Sequence, residues 1–151
     1  MHYRLFEPED FDDLYAIEEV CFEPPQRFTR RYMRHLVLSQ NAATWVAVES
    51  FCLSGFAIVE WSPHSAGVSA YVTTIEVLPE RRAHGIGSEL LRRVEGSAHA
   101  EGAVEIRLHV DVENASAIRL YEAHSYHNVG RAEHYYARGR AAKIYTKHLA
   151  R

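Results

Sequence analysis

The spacing of apolar residues changes several times along this chain, and each change marks an element. The opening HYRLFE reads as a short strand. Phe11, Leu14, Ile17 and Val20 recur on one helical face, so a helix is expected through Cys21 with Asp10 as its cap. The stretch FEPPQRF breaks that helix, because its two prolines cannot continue it. Thr29 is placed to cap a second helix over RRYMRHLVLSQ. Two strand-like runs follow, TWVAVE and GFAIVEW, with a turn expected around Ser54–Gly55. A third and longest strand is expected from about Val68 to Leu78.

Ser88 is read as opening a helix that buries Leu90, Leu91 and Val94. EIRLHVDV is a further strand, ASAIRLYEAH a further helix, and the tail divides into two strands around a glycine-containing connection. The expected order is β-α-α-β-β-β-α-β-α-β-β. That is an α/β (α+β) arrangement, one sheet with helices on its faces and a single domain over residues 1–151.

Composition narrows the picture. With 47% hydrophobic and 25% charged residues, the chain has the balance of a soluble globular protein. It holds no apolar run long enough for a membrane helix, and its start lacks the basic and apolar regions of a signal peptide, so no membrane partner is expected. A net charge of −3 argues against nucleic-acid binding as the main function. Two cysteines, Cys21 and Cys52, fit a reducing cytoplasm rather than a disulfide framework. The ten histidines are scattered, and His124 and His127 lack an acidic or cysteine partner at ligand spacing, so no metal is expected.

The segment RRAHGIGS lies between the third expected strand and the helix after it. Strand, Gly-x-Gly, helix is either a plain turn or a seat for a phosphate, since bare backbone and a helix N-terminus both suit an anion. Leu90 stands where the dinucleotide pattern needs a third glycine, and no Gly-Lys-Ser/Thr follows.

Arg82-Ala83-His84-Gly85-Ile86-Gly87 resembles the Arg/Gln-x-x-Gly-x-Gly/Ala signature of the GNAT acetyltransferase superfamily, and DVENASAIRLYEAHSY resembles the family's later SN-x-x-A-x-x-LYE-x-x-GF segment. The resemblance covers nearly the whole chain. It is nearest to the amino-terminal protein acetyltransferases, both the bacterial ribosomal-protein alanine group and the NatE-type catalytic subunit. It implies a central mixed, mostly antiparallel seven-stranded sheet with about four helices and a β-bulge in the fourth strand. It also implies acetyl-coenzyme A as co-substrate and a protein or peptide N-terminus as acceptor.

Carried over residue by residue, the resemblance assigns Ile75, Glu76, Val77, Arg82, Ala83, His84, Gly85, Ile86, Gly87, Ser88, Asn114 and Tyr121 to the coenzyme. Phe22, Pro24, Pro25, Tyr135 and Tyr136 fall to the acceptor. Tyr71 and His109 become the base, both able to order one water without touching. Tyr121 becomes the acid for the departing thiolate. The Glu76 side chain itself is read as plainly exposed. His109 stands where the bacterial group carries glutamate, and Ser125-Tyr126 replaces the usual Gly-Phe. Judged by spacing alone, Tyr71 and Tyr121 read as core tyrosines, His109 as a satisfied strand histidine and Asn114 as a cap. Two other functions stay open: acetylation of a small-molecule amine, and a non-catalytic coenzyme A-binding module.

Overall fold

The computed structural model describes residues 1–136 and 139–149. In chain order the elements are β1 (His2–Leu5), α1 (Phe11–Cys21), α2 (Arg30–Leu38), β2 (Ala42–Glu49), β3 (Cys52–His64) and β4 (Gly67–Val77). Then come α3 (Ile86–Ala100), β5 (Ala103–Asp111), α4 (Ala115–Ala123), β6 (His127–Ala132) and β7 (Ala142–His148), with short 3-10 turns at Pro8–Asp10 and Pro79–Arg81. The expected element order is reproduced. The seven strands form one sheet in the order β1-β2-β3-β4-β5-β7-β6. Among the described residues only β4 and β5 run parallel.

Strand alternation divides the core in two. Val46, Val48, Phe56 and Ile58 face α1 and α2 and meet Phe11, Leu14, Ile17, Met33 and Leu36. Ala47, Ala57, Val59 and Val72 face the other way, against Ile86, Leu90, Leu91, Val94 and Ala98 of α3. Each fully buried Leu or Val contributes about 1.5–3 kcal/mol.

Several sequence expectations shift. The hairpin between β2 and β3 turns at Ser50–Phe51, both left-handed at φ 49° and 67°, and not at Ser54–Gly55. Gly55 lies inside β3, where a Cβ would stand 2.6 Å from the Glu76 carbonyl oxygen, so the glycine marks close strand approach. β3, at 13 residues, is therefore the longest strand. Val20 is 58% exposed rather than on the buried face of α1. Asp10 precedes α1, but its carboxylate accepts from Arg4 and from the Glu7 N–H instead of capping the helix. Thr29 does cap α2, accepting from the Tyr32 N–H at 3.1 Å. α3 begins at Ile86, two residues before Ser88.

The Tyr126 hydroxyl donates to Glu95 at 2.7 Å, and Lys147 lies 3.1 Å from the same carboxylate, so the phenol that replaces phenylalanine is satisfied in the core. Ser125 holds φ 70°, the left-handed conformation that explains why glycine is the usual residue there. Among the described residues no helix is long and apolar enough to cross a membrane.

Candidate active site

The site forms where β4 and β5 part. Their ladder runs from Val68–Ala103 to Tyr71–Arg107, yet β4 continues to Val77 and β5 to Asp111. Past Tyr71, the backbone groups of β4 that point toward β5 have no strand partner. The β3–β4 register adds to this. Val59 pairs with Val72 and Ile58 with Thr74, so Thr73 is an extra residue, the bulge expected in the fourth strand.

Tyr71 pairs with Arg107, and His109 lies two residues further along β5 on the same face. The Tyr71 hydroxyl sits 2.8 Å from His109 Nδ1, so the two residues, read from the sequence as able to act without touching, are in direct contact. Burial, then the Tyr135 hydroxyl 3.5 Å away, drives the Tyr71 phenol far above the usual tyrosine range. The phenol therefore keeps its proton, which it donates to Nδ1 when the His109 imidazole carries its own proton on Nε2. Burial and the Arg107 guanidinium lower the His109 pKa from 6.5, so the imidazole is neutral at pH 7. Tyr135 stacks on that imidazole, rings 4.3 Å apart and 7° from parallel, and meets Tyr136 edge-on at 4.9 Å.

Tyr121 belongs to the core on the α3 face of the sheet, 5.7 Å from the Tyr126 ring. Burial, and then Tyr136, pushes its phenol up. Burial also takes Tyr136 up to about 12, with Tyr135 and Asp111 adding to it. Tyr136 thus neighbours Tyr121, while Tyr135 covers His109. The β6–β7 connection reaches both catalytic candidates.

The loop before α3 fits a phosphate through its backbone. Ala83 and Gly85 are left-handed, at φ 64° and 81°, and a Cβ on Gly85 would meet nothing within 4 Å. The first helical bond runs from Glu89 N–H to the Gly85 carbonyl, leaving the N–H groups of Ile86, Gly87 and Ser88 without helical partners. A Cβ on Gly87 would stand 3.5 Å from Leu120 of α4, ordinary contact distance. The side chains contribute less than the sequence implied. Arg81 pairs with Glu49, and Arg82 bonds the Val77 carbonyl at 2.9 Å and reaches Cys21 Sγ. His84 folds onto the Arg82 carbonyl, and Ser88 Oγ is tied to His124 Nε2 at 2.6 Å. Asn114 caps α4 through Oδ1, accepting from the Ala117 N–H, which leaves its amide nitrogen for a ligand. Ile75 and Val77 are half-buried on the stretch of β4 that has left β5.

Glu76 is a correction. It is 3% exposed, not a surface residue, and faces α1 because Phe56 opposite it does. Burial raises its carboxyl well above the ordinary range, and the buried Glu18 carboxyl beside it adds to the rise. Each carboxyl keeps one oxygen without another partner, as a proton held between them requires. Glu18 also accepts from the Phe28 N–H at 3.0 Å, which ties the α1–α2 loop to this pair. Phe22, Pro24 and Pro25 are exposed on that loop.

Three further residues escaped the sequence reading. Tyr32, in the first turn of α2, has Glu60 and Tyr135 among the neighbours that raise its phenol after burial itself. Glu60 lies directly across from Tyr71 on β3, and Arg107 directly across on β5. Strand pairing alone would have found the last two.

Residues 11–126 match the family model described as Acetyltransferase (GNAT) family. N-alpha-acetyltransferase MAK3 from Arabidopsis thaliana is 26% identical over 123 residues, which cover 82% of this chain; the chain spans 63% of that relative's length. Among solved structures, Arabidopsis thaliana NAA60 in complex with acetyl-CoA superposes with a TM-score of 0.87 at 22% identity, covering 98% of both chains. Arabidopsis thaliana Naa50 in complex with the bisubstrate analogue CoA-Ac-MVNAL gives 0.83 at 23% identity over 97% of both.

Proposed function

The chain belongs to the acetyltransferase (GNAT) family, and on that premise we propose that it transfers the acetyl group of acetyl-coenzyme A to the α-amine of a protein or peptide N-terminus. The observation that carries this reading is the Tyr71–His109 hydrogen bond at the mouth of the gap between β4 and β5. The likeness in fold to a structure solved with a coenzyme A–peptide analogue supports a peptide acceptor.

An α-amine has a solution pKa of about 8, so about a tenth of it is neutral near pH 7 and a modest base suffices. Tyr71 takes a proton from the ammonium while its own proton passes to His109 Nδ1. The net result is one N–H bond broken and one imidazolium formed. Burial, with Arg107 as the lesser cause, keeps that imidazole neutral beforehand. Bound acetyl-coenzyme A supplies the thioester, whose C–S bond breaks as the new N–C bond forms. Backbone N–H groups of the parted stretch of β4 are aimed at the carbonyl oxygen, where charge develops. Tyr121 gives the proton of its buried hydroxyl to the departing thiolate, and the second proton, released by the nitrogen as the N–C bond forms, restores the Tyr121 phenol. The N–H groups of Ile86, Gly87 and Ser88 receive the pyrophosphate, and the Asn114 amide gives a further donor.

Tyr135, Tyr136 and the exposed Phe22, Pro24 and Pro25 flank the acceptor entrance. The chain works as a single acetyltransferase domain, and free Cys21 and Cys52 suit a cytoplasmic setting. An acetyl-transfer assay over short peptides with free or blocked N-termini, run beside small amines, tests the reading. Free-N-terminus peptides are the expected substrates. Turnover of small amines alone would replace the peptide acceptor with a small-molecule one.

A further inference from the structure

Two rows of side chains cross one face of the sheet beside Tyr71. In the first, Glu60, Tyr71, Arg107 and Thr146 lie directly opposite one another on β3, β4, β5 and β7. In the second, Ser62, Ser69, Glu105 and His148 do the same. Directly paired residues share a face, so all eight lie on one side of the sheet. The second row is short in its middle, at the two serines, while Glu60, Tyr71, Glu105 and Arg107 stand taller around them. The result is a hollow of about 440 Å3.

The hollow carries two carboxylates against one guanidinium. Glu105 accepts from the Thr146 hydroxyl at 2.8 Å, and that bond, with Arg107 as a lesser cause, holds its carboxyl below the usual range. Arg107 is only loosely engaged, 3.5 Å from Glu105. Glu60 accepts from Thr73 of the bulge at 2.5 Å. Tyr71 is the one residue common to this hollow and to the catalytic pair.

We propose that this hollow is the acceptor subsite for the second and third residues of the peptide, and that Glu60 and Glu105 select lysine or arginine there. The proposal rests on the peptide-acceptor reading above. With the α-amine at the Tyr71 hydroxyl, the next residues of an extended chain advance about 3.3 Å each, and neighbouring strands lie about 4.8 Å apart. Both carboxylates therefore fall within reach of the second or third side chain. Glu60 lies beside Tyr71 on β3 and Glu105 beside Ser69 on β5, at opposite edges of the hollow, so a long cationic side chain entering it has a carboxylate on each side. A carboxylate side chain of the peptide would meet two carboxylates against the single Arg107 guanidinium, so the net charge of the hollow disfavours it.

The test uses peptides that differ only at the second and third residues, carrying lysine, arginine, alanine or glutamate. kcat/KM is measured for the wild-type chain at low and high salt, and for Glu60→Gln and Glu105→Gln. The expected result is a preference for the cationic peptide over the alanine peptide of about twofold to fivefold at low salt, as partly exposed ion pairs give. The preference shrinks at high salt and falls in each variant. The salt comparison needs no substitution, so it stands even where a variant folds poorly. Equal rates for lysine, alanine and glutamate peptides, or a preference untouched by salt and by both substitutions, would overturn the subsite while leaving peptide acetylation intact. Acetylation of small polyamines with every peptide refused would overturn the acceptor reading itself.

Discussion

The Tyr71 hydroxyl and His109 Nδ1 lie 2.8 Å apart, joined across the point where β4 and β5 separate. The bond makes the two residues one unit, so their losses are non-additive. Tyr71→Phe and His109→Gln should each lower kcat/KM about 100-fold near pH 7, and the double variant little further. Losses that multiply in the double variant would show two independent roles.

The pH dependence follows from the direction of the His109 shift. A base is active when unprotonated. Burial and Arg107 lower its pKa, so the acid limb of wild-type kcat/KM should fall below pH 6.5. In His109→Gln the deficit should shrink as pH rises toward the amine's own pKa of about 8, because less proton removal is needed. A deficit that stays constant across pH would remove His109 as the proton acceptor.

Tyr121 should act late. Tyr121→Phe keeps the ring in its core position and loses only the hydroxyl. It should lower kcat about 100-fold and leave the acetyl-coenzyme A KM within about twofold. Steady-state kinetics of the folded variant check this, and an unchanged kcat would make Tyr121 a packing residue.

The phosphate loop is tested by charge at constant strain. Asn and Asp both tolerate the left-handed conformation that Gly85 holds at φ 81°. Gly85→Asp should bind acetyl-coenzyme A at least about tenfold more weakly than Gly85→Asn, because like charges about 4 Å apart near a surface repel by a few kcal/mol. Calorimetry giving equal affinities would move the pyrophosphate elsewhere.

Much of this was legible in the sequence because it rests on local spacing. Thr29 capped α2, Leu90, Leu91 and Val94 faced the core, and the Gly-x-Gly segment opened α3. What was not legible depends on pairing between distant segments. Glu60 and Arg107 join the site only through β-register with Tyr71. The turn was misplaced at Ser54–Gly55 because glycine there serves close strand approach, while Ser50 and Phe51 take the left-handed turn without it. Glu18 was half legible. It lies four residues after buried Leu14, on the apolar face of α1, so a partner within the core was implied. That partner, Glu76, required knowing which face of β4 meets α1.

The Glu18–Glu76 pair gives a stability prediction with a definite sign. Glu76 has a folded pKa above its unfolded value of about 4.5, so the folded state holds a proton that the unfolded state releases. Its contribution is complete below pH 4.5 and is lost as pH rises through the folded pKa. Glu76→Gln keeps a hydrogen-bond donor toward Glu18 at every pH, so it should gain stability relative to the wild type as pH rises. Thermal melts of both proteins across the pH range check this. A constant difference between them would show that no proton is held there.

The most direct measurement uses one peptide with a free α-amine and an internal lysine. It is incubated with the chain and acetyl-coenzyme A, and the acetyl group is located by tandem mass spectrometry. Acetyl is expected on the α-amine alone, with the signal lost in Tyr71→Phe. Acetyl on the lysine side chain, or an α-amine product formed equally well by Tyr71→Phe, would contradict this.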